Sequence, residues 1–195
     1  SLDSVLITND ALREYPDKGL KGFYAFGDKL GGKTDPRLNP NFEFSSVQEG
    51  TQIVSATDGV VAFIKQQPDS GDYEVFIQPK ENSAWTVGYD HVTNVAVQKG
   101  ATIKAGDVIG TPAQQGNGSY RFEIQINKDQ NGQTTHYCPS LLLESSVKDS
   151  LLSALTTMQN SWEETTGYTG LYNVSAQNPV GCIKQTMTST EAEGN

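Results

Sequence analysis

The chain has 195 residues, a formal net charge of −9 and a sequence pI near 4.6. Such an acidic chain lacks the basic surface that phosphate binding requires, which argues against a nucleic-acid partner. No apolar run approaches the length of a membrane span, so we expect no transmembrane segment. The length suits one moderate β domain with additions at its ends.

Residues 1–38 are predicted to form an irregular lead-in to the main domain. A short strand over Ser4–Ile7 and one helical turn over Ala11–Glu14 are the regular elements that the pattern favours. The glycine-rich stretch 19–32 disfavours any longer element. We therefore place the start of the main domain at residue 39.

Short segments with alternating apolar and polar residues fill residues 39–143, separated by glycine turns and without a helical pattern. This texture is typical of an antiparallel β-sandwich or barrel. At its centre lies Val95–Gly110, which reads as two short strands with glycine corners. The predicted strands are Phe42–Ser46, Gly50–Ala56, Val60–Lys65, Tyr73–Gln78, Trp85–His91, Val95–Val97, Val108–Gly110 and Tyr120–Asn127.

The C-terminal segment, residues 144–195, carries a helical pattern. Its apolar residues recur at steps of three and four, which predicts one amphipathic helix that packs on the β domain. Ser146–Asp149 resembles a capping box at the start, and Gly167 marks the end. The tail Thr188–Asn195 is polar and is predicted to fray. The apolar stripe consists of Val147, Leu151, Leu152, Leu155, Met158 and Trp162.

The two cysteines, Cys138 and Cys182, lie in no metal-ligand spacing. Each sits beside loop-forming residues, which favours a disulfide between them over two buried thiols. A disulfide would place the protein outside the cytosol. We therefore expect a secreted or periplasmic protein whose C-terminal segment is tethered to the end of the β domain.

Four motifs give the β domain a resemblance to the lysostaphin-type, or duplicated hybrid motif, zinc endopeptidases that cut cell-wall peptides. Gly50–Val61 resembles the entry strand of that family, and Tyr89–Val92 resembles its Tyr-x-His-Leu motif. Val97–Gly110 resembles its glycine-cornered hairpin, and Phe122–Ile124 resembles the end of its His-x-His-Phe-Glu strand. The resemblance implies a mainly β, lysostaphin-like sandwich or barrel.

The zinc ligands of that family are missing from this sequence. The resemblance places Asn39 and Glu43 at the first His and Asp ligands, and Ser119 and Arg121 at the two histidines of His-x-His. His91 stands at the catalytic histidine of Tyr-x-His. Because arginine cannot ligate zinc and asparagine is a poor ligand, we expect no metal and no other cofactor. We also expect no catalytic residue, with His91 as a vestige.

The expected function is that of a non-catalytic peptidase-like domain. It would bind peptidoglycan or a cell-envelope protein partner through the former active-site groove. The alternative is an active zinc endopeptidase that acts on cell-wall peptides through an atypical site. A lipoyl- or biotin-type carrier is a weaker alternative, because Gly59 stands where the carrier lysine would be. The predicted groove residues are Asn39, Glu43, Tyr89, His91, Ser119, Arg121 and Glu123.

Two expectations concern contacts around the lost metal. Arg121 and Glu43 should form a salt bridge, because a guanidinium can replace the cation between groups that once converged on it. Asn39, His91 or Ser119 should lie close enough to join by hydrogen bonds. The second histidine, His136, matches no ligand position and is expected to be an ordinary buried histidine.

Overall fold

The structure is a computed structural model that describes residues 21–31, 34–116 and 118–194. The predicted strand Ser4–Ile7 and helical turn Ala11–Glu14 lie outside the described residues. Within the described part, the fold is mainly β, with one long helix near the C-terminus. No helix in that part is long and apolar enough to cross a membrane.

Eleven strands and two α-helices form the described part of the chain. Each strand is short except β6 and β9, as expected for an antiparallel domain built from hairpins. The elements are β1 (Phe23–Tyr24), β2 (Phe42–Val47), β3 (Ile53–Val54), β4 (Gly59–Gln66), β5 (Tyr73–Gln78), β6 (Trp85–Thr93), β7 (Thr102–Ile103), β8 (Val108–Gln114), β9 (Tyr120–Gln130), β10 (Gln133–Tyr137), α1 (Ser145–Thr166), β11 (Thr186–Thr188) and α2 (Ser189–Glu193).

Strand β9 is the centre of the sheet, and every pairing around it is antiparallel. One edge of β9 pairs with β2 along its first half and with β10 along its second half. The other edge pairs with β6 and, at its start, with β8. The sheet continues from β6 through β5 to β4, and β1 pairs with the outer edge of β2. The antiparallel, mainly β fold class is thus confirmed.

The observed strands differ from the predicted ones in three places. Val95–Val97 is irregular, and the central hairpin pairs β7 with β4 and β8 with β6 and β9 instead. Gly50–Ala56 contributes only the two residues of β3. Strand β10 was not predicted, although Asn131 and Gly132 both have positive φ and form the tight turn between β9 and β10. An Asn-Gly pair between two strands is a strong hairpin signal.

The alternation along β9 separates a core face from a polar face. Phe122, Ile124 and Ile126 are buried in the core, beside aromatic residues of β1 and β2. Phe44 stacks on Phe122 with ring centroids 5.1 Å apart. The residues that alternate with them, beginning with Arg121, lie on the polar face. We call this polar face the groove face. The other β9 residues of the groove face are Glu123, Gln125 and Asn127.

Helix α1 packs its apolar stripe against the domain, with Leu155, Met158 and Trp162 buried. It ends as predicted at Gly167, which has φ of 72° and donates its N–H to the carbonyl of Glu163. The predicted capping box is wrong, because the helix begins after Glu144 without a side-chain cap.

The C-terminal tail is ordered by regular elements. Residues 189–193 form α2, and Thr188 caps this helix together with Glu191 in a capping box, so the prediction of a frayed tail is wrong here. Strand β11 pairs with β10 at the edge of the sheet. The expected disulfide is present between Cys138 and Cys182 and closes a span of 44 residues.

Candidate functional site

A row of polar side chains crosses four neighbouring strands on the groove face. Tyr24 of β1 is opposite Glu43 of β2, and Glu43 is opposite Glu123 of β9. Glu123 is in turn opposite Asp90 of β6. Because directly opposite residues of antiparallel strands place their side chains on one face, the three carboxylates are brought together by register alone.

Arg121 supplies a positive charge beside this row. Its Nη1 lies 3.4 Å from Oε1 of Glu43 and 3.8 Å from Oε1 of Glu123. Ser45 donates a hydrogen bond of 2.9 Å to the same oxygen of Glu43. The predicted salt bridge between Arg121 and Glu43 is therefore confirmed, and both groups lie on the groove face.

His91 reaches the same face through a β-bulge. Tyr73 of β5 is opposite Val92 and Val75 is opposite Tyr89, so two residues of β6 occupy the space of one residue of β5. His91 takes a φ of 58°, which is uncommon for a residue with a side chain. Tyr89 and Val92 are both fully buried as a result, and the side chains between them turn to the groove face.

Three carboxylates surround the imidazole of His91. Nδ1 lies 2.7 Å from Oδ2 of Asp72. Nε2 lies 3.6 Å from Oε1 of Glu123 and 3.9 Å from Oδ2 of Asp90. Burial alone would lower the pKa of His91, but the carboxylates of Glu123, Asp90 and Asp72 outweigh it and raise that pKa to about 9. The three carboxylates thus stabilise the imidazolium form of the ring.

Burial, together with the neighbouring carboxylates, raises the pKa of two acids in the row. Burial and the neighbouring Glu123 raise the pKa of Glu43. Burial, partly offset by His91, raises the pKa of Asp90 to about 6. Both shifts have the same cause: negative charges are held close together in a poorly solvated place, where the charged form of each acid is disfavoured. The site is thus built to attract positive charge.

The loop between β4 and β5 completes this end of the site. Gln67 donates its side-chain N–H to Oδ1 of Asp90, and that oxygen also accepts the backbone N–H of His91 at 2.6 Å. Ser70 donates to Asp72, which is itself buried. Sequence reasoning missed Asp72 and Gln67, because a loop acid carries no signal that it will fold back onto a histidine 19 residues later.

Two predicted groove residues lie elsewhere. Tyr89 is fully buried in the core and accepts the backbone N–H of Ala56 with its hydroxyl oxygen, because the bulge leaves it on the core face. Asn39 is buried, and its side-chain N–H groups go to the backbone carbonyls of Tyr24, Ala25 and Asn41. The amide of Asn39 therefore holds a loop in place and does not donate to the pair of Arg121 and Glu43.

Ser119 is buried directly before β9, where its carbonyl accepts the backbone N–H of Gln115 at 2.7 Å. Its place beside the cluster is set by the strand that follows, which carries Arg121 and Glu123. Gly59 starts β4 against the carbonyl oxygen of Gln78, which a Cβ at position 59 would meet at 2.3 Å. No side chain fits there, which removes the carrier alternative.

The residues that the resemblance places at the family's zinc positions do not fit zinc. Arg121 presents a guanidinium, which stays protonated and has no lone pair to donate. Asn39 uses its amide on backbone carbonyls, and Glu43 is already paired with Arg121. We therefore derive no reaction step through a metal at these three positions.

The other end of the groove face is uncharged at its centre. His136 is buried, with Nδ1 2.7 Å from Oδ1 of Asn127 and Nε2 3.3 Å from Oγ of Ser189. Burial lowers the pKa of His136. Beside it lies an open cavity of about 530 Å³, lined among others by Asn41, Gln125 and His136. Asn41 also donates to Oε2 of Glu123, so it connects this cavity to the charged cluster.

Comparison with known proteins agrees with this architecture. Residues 43–136, just under half of the chain, match the model of Peptidase family M23. No curated protein sequence matches the chain. The resemblance to lysostaphin-type peptidases is confirmed for this segment, which contains the groove-face residues of β2, β6 and β9.

Solved structures of lysostaphin share the fold. The solution structure of lysostaphin is 18% identical, with a TM-score of 0.50 over 63% of this chain and 51% of that one. The peptidase lysostaphin from Staphylococcus simulans is 16% identical, with a TM-score of 0.50 over 66% and 49%. A chain of the SpoIIQ–SpoIIIAH pore-forming complex is 16% identical, with a TM-score of 0.49 over 77% and 99%. The chain spans about half the length of the lysostaphin structures, and these identities establish the fold alone.

Proposed function

We propose that this chain is a non-catalytic, peptidase-like binding domain of a secreted or periplasmic protein. It binds peptidoglycan or a cell-envelope protein through the groove face. The observation that carries the proposal is the ion pair between Arg121 and Glu43, two residues that the resemblance aligns with ligands of the family. A protein that places a salt bridge there has lost the Lewis acid and the activated water of the family reaction.

The disulfide between Cys138 and Cys182 supports an extracytoplasmic location, because such bonds persist in oxidising compartments. The groove supports binding by its shape and charge. One end offers buried carboxylates with Arg121 and His91, and the other offers amides and an open cavity beside His136. A peptide that carries both amide and charged groups would find partners along this face.

The test is co-sedimentation with purified peptidoglycan, together with affinity capture from an envelope extract. Arg121→Ala should reduce binding, whereas Lys65→Ala, on an exposed pair with Glu74, should not. Binding to neither material, or binding that survives Arg121→Ala unchanged, would contradict the proposal. Incubation with cell-wall peptides should give no cleavage products.

The alternative is a zinc endopeptidase with an atypical site. One observation favours it: Asp90, His91 and Glu123 bring metal-ligating atoms within 4.8 Å of one another, away from the family's ligand positions. Cleavage of cell-wall peptides that a chelator abolishes and zinc restores would establish the alternative. If no cleavage occurs with or without zinc, the alternative is wrong and the proposed binding role stands.

A further inference from the structure

The side chains of Asp90, His91 and Glu123 direct one atom each at a common point on the groove face. Nε2 of His91 lies 3.6 Å from Oε1 of Glu123 and 3.9 Å from Oδ2 of Asp90. All three ligand atoms lie within 4.8 Å of one another. We infer that these residues bind one divalent transition-metal ion, with Zn²⁺ as the ion that fits them best.

The spacing of these atoms suits an ion between them. Zinc holds nitrogen and oxygen ligands at about 2.0–2.2 Å, so two ligands of a tetrahedral zinc ion are about 3.4 Å apart. The observed separations of 3.6 and 3.9 Å exceed this by only a few tenths of an ångström. The third separation, between the oxygens of Asp90 and Glu123, lies within 4.8 Å, so the two carboxylates have to rotate toward each other to close the site.

His91 is held in the orientation that a ligand needs. Asp72 binds Nδ1 of the ring at 2.7 Å, which directs Nε2 to the common point. Zinc binding at Nε2 releases the proton that this nitrogen carries in the imidazolium form. A carboxylate behind a histidine ligand fixes the tautomer and increases the basicity of the ligating nitrogen. Asp72 is 4% exposed, so this support is buried beneath the site.

Both carboxylate ligands are fixed in the same manner. Oδ1 of Asp90 accepts N–H groups from Gln67 and from the backbone of His91, which leaves Oδ2 directed at the site. Oε2 of Glu123 accepts from Asn41, which leaves Oε1 directed there. Each ligand thus has its second polar atom anchored by a separate element of the fold. Such preorganisation distinguishes a binding site from an ordinary group of acids.

A second observation concerns Asn41, the residue that anchors Glu123. Oδ1 of Asn41 is the one buried side-chain oxygen or nitrogen without a hydrogen-bond partner among the described residues. Buried oxygens without a partner are rare and point to a missing donor, such as an ordered water or an ion. Asn41 holds Oε2 of Glu123 with its amide nitrogen, so the oxygen without a partner belongs to the residue that anchors one of the proposed ligands.

The donor set selects among ions. One imidazole nitrogen with two carboxylates suits zinc and manganese, whereas calcium and magnesium prefer oxygen ligands alone. The positive charge of Arg121, 3.8 Å from Oε1 of Glu123, opposes any cation there. This site uses none of the zinc positions of the family, and it differs from the expectation of no metal, which considered those positions only.

The test is equilibrium binding of Zn²⁺ alone to metal-free protein, measured by calorimetry and by elemental analysis after dialysis. We expect one ion per chain. His91→Ala and Glu123→Gln should each weaken binding more than tenfold, and Asp72→Asn should weaken it about 10–100-fold as the loss of an outer partner does. His136→Ala is the matched control, because it removes the other histidine of the described residues and should leave the affinity unchanged.

Arg121→Gln gives a result of opposite sign, because removing the nearby cation should tighten zinc binding. Absence of zinc binding by the folded wild-type protein would overturn the inference. So would zinc binding that His136→Ala abolishes and His91→Ala does not. Thermal unfolding of each variant shows that it is folded, and Glu123→Gln keeps the shape of the side chain. Peptidoglycan binding measured in a chelator tests the proposed function separately, so either proposal can fail alone.

Discussion

The groove face carries two histidines whose surroundings differ in kind. His91 contacts carboxylates only, namely those of Asp72, Asp90 and Glu123. His136 contacts an amide and a hydroxyl, those of Asn127 and Ser189. Both rings are largely buried, yet the pKa of His91 is raised to about 9 and the pKa of His136 is lowered.

The comparison shows that the partners of a buried imidazole decide its charge. Burial lowers the pKa of both rings, and only carboxylates at contact distance reverse the direction. The two ends of the groove are also held in different ways. The end at His136 is held by β10, β11 and the disulfide next to them, whereas the end at His91 is held by ion pairs. Each prediction below disturbs one end and leaves the other as the control.

The largest expected effect is the loss of the disulfide at the neutral end. In the chain-entropy model, closing a loop of 44 residues stabilises the fold by up to about 4 kcal/mol. The double variant Cys138→Ala/Cys182→Ala should lower the free energy of unfolding by about 2–4 kcal/mol. Urea titration measures the free energy of unfolding, and its decrease in the double variant should be equal at pH 6.5 and pH 9.5. A loss that changes steeply with pH would show that the two ends are not independent.

The second effect is the pH dependence of the charged end, in protein freed of divalent ions. The folded pKa of His91 lies above its unfolded value of about 6.5. Its stabilisation is therefore fully present below pH 6.5 and is lost as pH rises through about 9. A shift of this size corresponds to at most about 3 kcal/mol in the free energy of unfolding. Asp90, with a pKa raised to about 6, adds a smaller loss in the same direction at lower pH.

His91→Gln should remove the alkaline part of this slope, and His136→Gln should leave it. The folded pKa of His136 is lowered, so its own contribution is present above pH 6.5 and is lost as pH falls below that value. Chemical denaturation at several pH values measures both variants. If the free energy of unfolding of His91→Gln still falls as the pH rises through about 9, another group is responsible for the fall.

The sequence predicted the architecture of the groove better than its details. The alternation of Tyr120–Asn127 fixes which residues of β9 face the core, because a strand has a period of two. The same period of two predicts that Arg121 faces the groove, where the resemblance also places Glu43, and the two residues are in contact. The bulge at His91 could not be predicted, since a positive φ in a histidine is unfavourable by itself and depends on surrounding contacts. Tyr89 was misplaced because of this bulge.

The contribution of Asp72 was also beyond sequence reasoning. The loop between β4 and β5 carries ordinary turn residues, and nothing in their order shows that they fold over β6. Strand β10 is predictable from the sequence, because Asn131-Gly132 is a recognisable hairpin signal. Local turn chemistry is thus readable from sequence, whereas contacts between a loop and a distant strand are not.

The third effect comes from the ion pair between Arg121 and Glu43. Arg121→Ala leaves Glu43 largely buried without its cation and should cost about 1–3 kcal/mol. Lys65→Ala is the matched control, because Lys65 and Glu74 are also 3.4 Å apart but Lys65 is 62% exposed. An exposed pair contributes about 0–1 kcal/mol. Equal costs for the two variants in urea titration would show that burial does not strengthen the Arg121 pair.

The smallest effect concerns the cap that holds the neutral end. The side chain of Thr188 accepts the backbone N–H of Glu191, and Glu191 accepts the N–H of Thr188 in return. This capping box fixes the start of α2, where Ser189 contacts His136. Thr188→Ala should lower the free energy of unfolding by about 1 kcal/mol, the usual cost of losing an N-cap. Thr190→Ala, an exposed position inside the same helix, should change the free energy of unfolding by less than about 0.5 kcal/mol.

NMR of the imidazole C–H groups of Thr188→Ala tests directly whether the two ends of the groove are independent. The loss of the cap should shift the signals of His136, which contacts α2, and leave those of His91, which contacts carboxylates of the β4–β5 loop, β6 and β9. A shift at His91 of similar size would mean that the neutral and charged ends of the groove respond as one unit.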